Sequence, residues 1–226
     1  MNMNTKKMTV VAHHGSPGHP SDFKALSDSM LMQVEWKTID RYANPYQTIT
    51  DVLEGNSKEN NKTQEIIIMG YSFGCTRAIQ DATLLLKNNI RPSAVILISP
   101  YLFIKNSPST VTRLALNLPV LSDVLLKNKG QSAIESMLET SSYPKPVPAS
   151  YQAQKGLYTS VNVLRQSVLE KENSVLDFGL LRESGVPVTI VYGMQDKTSS
   201  RTEQLVPLQK QLGGELVEVA DGGHAL

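Results

Sequence analysis

Four short runs constrain this chain more than anything else in it: "MTVVAH" (8–13), "EIIIMG" (65–70), "SAVILIS" (93–99) and "PVTIVYG" (187–193). Each is rich in β-branched residues and apolar without alternation. A strand with one wet face alternates, whereas a strand buried on both faces does not. Stretches with helical spacing lie between the runs. "SDFKALSDSMLMQ" opens with Ser21 as a candidate N-cap. "GCTRAIQDATLLLKNN" (74–89) puts Ala78, Ile79, Ala82 and Leu85 on one face. "SRTEQLVPLQKQLGG" stops at Gly213 and Gly214, and Pro207 should kink it or split it. Strands alternating with helices require crossovers, so the fold class is α/β: a mostly parallel sheet flanked by helices. "VEWKTID" (34–40) and "ELVEVA" (215–220) are weaker strand candidates and bring the sheet to about six strands.

Two regions break the rhythm. Residues 43–64 are polar and read as a short helix followed by an exposed loop. Residues 101–185 hold no convincing strand but several helical patterns: "TVTRLALNL", "LSDVLLKN", "QSAIESMLET" and "YQAQKGLYTSVNVLRQSVLEKEN", with "SSYPKPVPAS" as a proline-rich connector. That stretch is too long for a loop. The expected organisation is a core of residues 1–100 and 186–226, with 101–185 inserted after the strand at 93–99 as a helical cap.

Composition narrows the function classes. Of 226 residues, 22 are Lys or Arg and 21 are Asp or Glu, a net charge of +1 that offers no electrostatic case for nucleic acid or an anionic membrane. Cys75 is the one cysteine, so no internal disulfide points to an oxidising compartment. The first apolar run ends at Ala12, too short for a signal segment, and no stretch reaches the length of a membrane span. The expectation is a soluble cytoplasmic protein.

The chemistry is read from "MGYSFGCT" (69–76). A strand ending at Gly70 and a helix beginning near Phe73 leave Ser72 on a tight turn at the sheet's carboxyl edge, where open α/β folds bind ligands. Gly70 and Gly74 flank it and allow strained dihedrals and close packing of strand on helix. A serine needs a base. Of the 4 histidines, His13, His14 and His19 precede Ser72, and His224, in "VADGGHAL", follows it. Asp196, in "YGMQD", lies between serine and His224 after a buried strand. Asp221 is too near His224 in sequence to orient it. The rival use of His13, His14 and His19 is metal binding, but adjacent histidines on a strand point to opposite faces and no cysteine or carboxylate cluster completes a set. No metal and no cofactor are expected. Cys75, early in the following helix, is read as a small buried residue.

"HHGSPG", "GYSFG", "YGMQD" and "GGHAL", in this order and spacing, resemble the α/β-hydrolase superfamily over nearly the whole chain. The resemblance implies that Ser72 is the nucleophile, His224 the general base and Asp196 its orienting acid. It implies that the backbone N–H groups of Ser16 and Phe73 form the oxyanion hole. His14 and Gly15 would shape that loop, with Pro17 in a cis peptide and His14 bracing it by hydrogen bonds. The sequence departs from the family in two places: only one strand precedes the HG motif, and no helix follows His224. The expectation is a minimal member, without the first two strands and the terminal helix, or a chain whose C-terminus is trimmed.

The implied activity is that of a serine carboxylic-ester hydrolase working through an acyl-enzyme on a small-molecule acyl ester. The alternatives keep the same triad: a thioesterase or acyl-carrier-protein-linked ester hydrolase, or a carbon–carbon bond hydrolase. An acyl carrier protein is acidic, and Lys105, Arg113, Lys127 and Lys129 make the cap mildly basic. A binding protein on the same scaffold would show a missing triad member, and all three are present. Tyr101, Met137 and Tyr158 are candidate pocket residues. Leu114, Leu116, Leu125, Leu126, Leu138 and Leu164 suggest apolar cap faces that mostly pack on one another. The sequence does not fix the oligomeric state.

Overall fold

The computed structural model describes residues 8–30, 34–44, 47–54, 65–102, 118–147, 149, 155–169, 176–199 and 201–225. Six strands form one parallel sheet: β1 (Met8–His13), β2 (Val34–Ile39), β3 (Glu65–Tyr71), β4 (Ala94–Ile98), β5 (Val188–Gly193) and β6 (Glu215–Val219). Their order across the sheet is β2-β1-β3-β4-β5-β6, every pair parallel. Both weaker strand candidates are therefore strands. They are β2 and β6 at the two edges, where one neighbour is missing and the apolar run is correspondingly diluted.

The strand order reverses at β1. The chain steps from β1 outward to β2, then crosses back over β1 to β3. Such a reversal opens a crevice at the carboxyl ends of the two central strands. Near those ends His13 of β1 and Gly70 of β3 stand side by side in the register.

The two sheet faces are buried unequally. On one, Val11, Ile66, Ile68, Val95, Leu97 and Ile190 pack under α3 (Gly74–Lys87), whose Cys75, Ala78, Ile79, Ala82 and Leu85 are buried against them. Cys75 is fully buried, and burial pushes its thiol pKa up, so it packs rather than reacts. On the other face Val10, Ala12 and Met69 lie under Phe23, with Ile67, Ile96 and Ile98 only partly covered. Phe23 ends a 3-10 turn, Pro20–Phe23, that leads into α1 (Lys24–Ser29). His19, not Ser21, caps that turn: its ring accepts from the Ser21 N–H, and the Asp22 side chain returns the bond to the cap's own backbone.

The polar segment contributes α2 (Ile49–Glu54) before β3, and its loop lies outside the described residues. After β4, two of the expected helical patterns merge into one long helix, α4 (Pro119–Ser142), with Pro119 in its first turn. α5 (Lys155–Tyr158) and α6 (Val161–Leu169) follow. "TVTRLALNL", with Leu114, Leu116 and Arg113, and also Lys105 lie outside the described residues. Ile134, Leu138, Tyr158 and Leu164 form a small core of their own between α4, α5 and α6. A further helix, α7 (Phe178–Glu183), packs on α3 instead, with Leu181 buried in the main core. Pro207 splits the last helical stretch as expected: a π turn (Arg201–Leu205) precedes α8 (Val206–Leu212), which has the proline in its first turn. Gly213, at φ 67°, ends α8 in the left-handed region. Among the described residues, no helix is long and apolar enough to cross a membrane.

Candidate active site

β3 delivers Ser72 to the crevice. Its φ is +52°, a left-handed value that costs a non-glycine residue strain and turns the side chain out of the chain's path. Local bonds hold it there: Ser72 N–H donates to the Ile98 carbonyl at 2.9 Å, and the Ser72 carbonyl accepts from Cys75 N–H at 3.1 Å. The flanking glycines are needed for space rather than for dihedral freedom. A Cβ on Gly70 would lie 2.5 Å from the Cys75 Cα, and one on Gly74 would lie 2.2 Å from the His13 carbonyl oxygen. The start of α3 is thus pressed against the end of β1.

β6 leads into the turn that carries His224. That turn is tied at both ends. Gln195 N–H donates to the Gly222 carbonyl at 2.9 Å, and Ala225 N–H donates to the Ser141 carbonyl of α4 at 2.8 Å. The histidine is 4% exposed. Its Nε2 lies 2.8 Å from Ser72 Oγ. Its Nδ1 lies 2.8 Å from Asp196 Oδ2. A carboxylate only accepts, so Nδ1 carries the proton, and Nε2 is then free to accept from the serine hydroxyl.

Asp196 follows β5. Its Oδ1 accepts from the N–H groups of Thr198, at 2.6 Å, and Ser199, at 3.0 Å. Burial opposes its ionisation, but the His224 bond and charge and the two backbone donors outweigh burial and hold the carboxyl below its ordinary value. It is therefore a carboxylate at neutral pH, able to orient the imidazole.

The loop after β1 faces Ser72 from the other side of the crevice. The Ser16–Pro17 peptide is cis. Among the described residues, neither the Ser16 N–H nor the Phe73 N–H donates to a backbone carbonyl. His14 is fully buried, and burial, reinforced by the Arg41 charge, lowers its pKa well below the ordinary histidine value. It is neutral, and its Nδ1–H donates to the Gly15 carbonyl at 2.9 Å. The upstream histidines turn to separate partners: His13 Nε2 to Asp81 at 2.9 Å, His14 to Gly15, and His19 Nδ1 to Ser21 Oγ at 2.7 Å.

Above these groups lies a cleft of about 430 Å³, lined by Gly15, Ser16, Pro17, Tyr71, Ser72 and His224 from the core side. Tyr101 and Met137, two of the expected pocket residues, line it as well, and α4 adds the hydroxyls of Ser136, Thr140 and Ser141. Tyr158 does not reach it. Its ring is buried in the core of α4 to α6, and its hydroxyl donates to Asp22 Oδ1 at 2.5 Å. Leu138 and Leu164 share that small core, with Leu126 packed against it. The apolar residues of α4 to α6 that are buried pack on one another, and Ser136, Met137, Thr140 and Ser141 of α4 line the cleft. Sequence reading missed two residues behind the loop after β1, Arg41 and Tyr42; they follow β2 with no motif to single them out.

Solved proteins of similar shape agree with this architecture. A bromoperoxidase from Bacillus anthracis superposes with a TM-score of 0.69 at 13% identity, over 97% of this chain and 86% of that one. A 2-hydroxy-6-oxo-6-phenylhexa-2,4-dienoate hydrolase from Rhodococcus sp. strain RHA1 gives 0.68 at 15%, over 97% and 84%. A thermophilic esterase from Thermogutta terrifontis gives 0.67 at 16%, over 97% and 84%. No family model and no curated protein matches the sequence. The all-parallel six-stranded sheet and these likenesses define the class: the chain has the α/β-hydrolase fold.

Proposed function

We propose that the chain is a serine hydrolase that cleaves a carboxylic ester through Ser72, His224 and Asp196. The observation that carries this reading is the pair of 2.8 Å contacts on the two nitrogens of one buried imidazole, serine on one side and carboxylate on the other. Ser72 Oγ attacks the ester carbonyl carbon as its proton passes to His224 Nε2. The carbonyl oxygen becomes an oxyanion between the N–H groups of Ser16 and Phe73. Collapse breaks the bond to the alcohol, which leaves with the proton from Nε2 and forms an acyl-Ser72 ester. Water then gives its proton to Nε2, attacks the acyl carbon, and releases the acid and the free serine. Asp196 keeps the imidazole in the tautomer that accepts at Nε2 and stabilises the imidazolium that forms.

The cleft supports a small or medium acyl group that carries oxygen. Its wall mixes the hydroxyl residues Ser16, Ser136, Thr140, Ser141 and Thr198 with Pro17, Tyr71, Tyr101 and Met137. A long alkyl chain would strip water from these groups without replacing their hydrogen bonds. We take residues from about 118 to 169 as the cap, acting as the lid that carries this specificity. A thioester, including one on an acyl carrier protein, or a carbon–carbon bond next to a carbonyl would use the same triad and forms the alternative reading.

The test is a panel of p-nitrophenyl esters and acyl thioesters of rising chain length and with or without hydroxyl substituents. Short, oxygenated esters should turn over fastest, and Ser72→Ala should lower kcat by roughly a millionfold. No turnover of any ester by folded protein would remove the ester assignment.

A further inference from the structure

Arg41 is a buried cation outside the triad, 7% exposed. It stands just past β2, where the chain passes behind the loop after β1. Its Nη1 donates to the His14 carbonyl at 2.7 Å and its Nη2 to the Gly15 carbonyl at 3.0 Å. A forked guanidinium fixes two successive carbonyls in one plane, which a lysine could not do.

The Gly15 carbonyl is the other end of the peptide unit whose N–H belongs to Ser16. It accepts from two donors, Arg41 Nη2–H and His14 Nδ1–H. Hydrogen bonds along one amide reinforce each other: drawing electron density onto the carbonyl oxygen makes the N–H a stronger donor. A charged donor does this more strongly than a neutral one. Tyr42 completes the arrangement. Its ring lies 4.9 Å from the His14 ring, and its hydroxyl donates to Ser16 Oγ at 3.2 Å. Ser16 Oγ in turn donates to the Ser167 carbonyl of α6 at 3.3 Å.

We infer that Arg41 is a positioning residue for the oxyanion hole: its guanidinium orients and polarises the Gly15–Ser16 peptide so that the Ser16 N–H binds the tetrahedral oxyanion. Charge develops on that oxygen only in the transition state, so Arg41 acts on kcat and leaves ground-state binding alone. The inference rests on the serine-hydrolase reading and on Ser16 as an oxyanion donor.

The experiment compares wild type with Arg41→Met, which keeps the apolar stem, and Arg41→Lys, which keeps the charge without the fork. Steady-state kinetics on a short p-nitrophenyl ester are read beside affinity for two ligands, a trifluoromethyl ketone that forms a tetrahedral adduct on serine and the product carboxylate. Arg41→Met should lose about 10- to 100-fold in kcat, with KM nearly unchanged. Ketone affinity should fall by a similar factor and carboxylate affinity should hold. Arg41→Lys should fall between wild type and Arg41→Met, and millimolar guanidinium should restore part of the activity of Arg41→Ala. An inert wild type would sink the hydrolase reading itself. An active wild type with unchanged kcat in folded Arg41→Met would overturn the role of Arg41. So would parallel loss of ketone and carboxylate affinity, the mark of a collapsed loop. If Arg41→Met does not fold, Arg41→Lys decides on the same split.

Discussion

A Cβ added at Gly74 would lie 2.2 Å from a backbone oxygen of β1, whereas one added at Gly156, in α5 of the proposed cap, would meet nothing within 4 Å. The two positions sit in the two halves of the proposed enzyme. Around Ser72, backbone presses on backbone, a non-glycine residue is held at positive φ, and both nitrogens of the buried His224 ring have partners at 2.8 Å. In the proposed cap, a few apolar side chains hold three helices together: Ile134, Leu138, Tyr158 and Leu164. The core edge is over-determined, as chemistry that needs fixed distances requires. The cap is held more loosely, which suits a surface that sets substrate preference.

Substitutions can break this contrast. The largest expected effect is at Asp196. Asp196→Asn keeps the shape of the side chain, but its amide N–H₂ favours the wrong histidine tautomer, and kcat should fall by about 10⁴-fold while the melting temperature moves little. Full activity in that variant would remove Asp196 from the triad. Gly74→Ala comes next. Either α3 or the loop after β1 must shift, so a stability loss of about 3 kcal/mol or more is expected in denaturant titrations. A loss below about 1 kcal/mol would show that the elbow is softer than its contacts imply.

Much of the edge was legible because its signals are local or ordered along the chain. GxSxG after an apolar run, an aspartate after a later strand and a histidine after the last strand each mark a strand's carboxyl end, and a parallel sheet gathers those ends on one side. What stayed hidden depends on packing between distant segments. Nothing in "DRYAN" says that Arg41 reaches the carbonyls of His14 and Gly15, because that contact follows from β2 lying beside β1. Tyr158 read as a pocket residue because its helix is apolar. Only the seating of α5 turns it toward Asp22, and only the rotation of α4 decides that Thr140 faces the cleft while Leu138 does not. Likewise α7 lies within the stretch expected to be cap, yet packs on α3, because the buried position of Leu181 is settled by the sheet and not by its neighbours in sequence.

Two smaller effects sharpen the contrast. Asp22 sits at the seam between the halves, under the Tyr158 hydroxyl. Burial raises its pKa to about 6, against the pull of the Tyr158 bond and the His19 and Gly15 N–H groups. The folded chain therefore binds this proton more tightly than the unfolded chain does. Its contribution to stability is complete below the ordinary carboxylate value and is lost as pH rises through about 6. Between about pH 4 and 6 the wild type should lose up to about 3 kcal/mol from this group, and Asp22→Asn should lack that slope in melting curves. An identical slope in the variant would assign the titration elsewhere. Smallest of all, Gly156→Ala in the cap should add up to about 1 kcal/mol without touching kcat, read by thermal denaturation beside ester turnover. A drop in kcat there would tie the cap to the chemistry more closely than its packing suggests.

Chemical labelling tests directly whether Ser72 is an activated nucleophile. Folded protein is treated with a fluorophosphonate and digested, and the modified peptide is sequenced by mass spectrometry. A single stoichiometric adduct on Ser72 is expected, formed rapidly in wild type, much more slowly in Asp196→Asn and not at all after heat unfolding. No adduct on Ser72 in folded wild type, or an adduct on another serine with Ser72 intact, would contradict that role for Ser72.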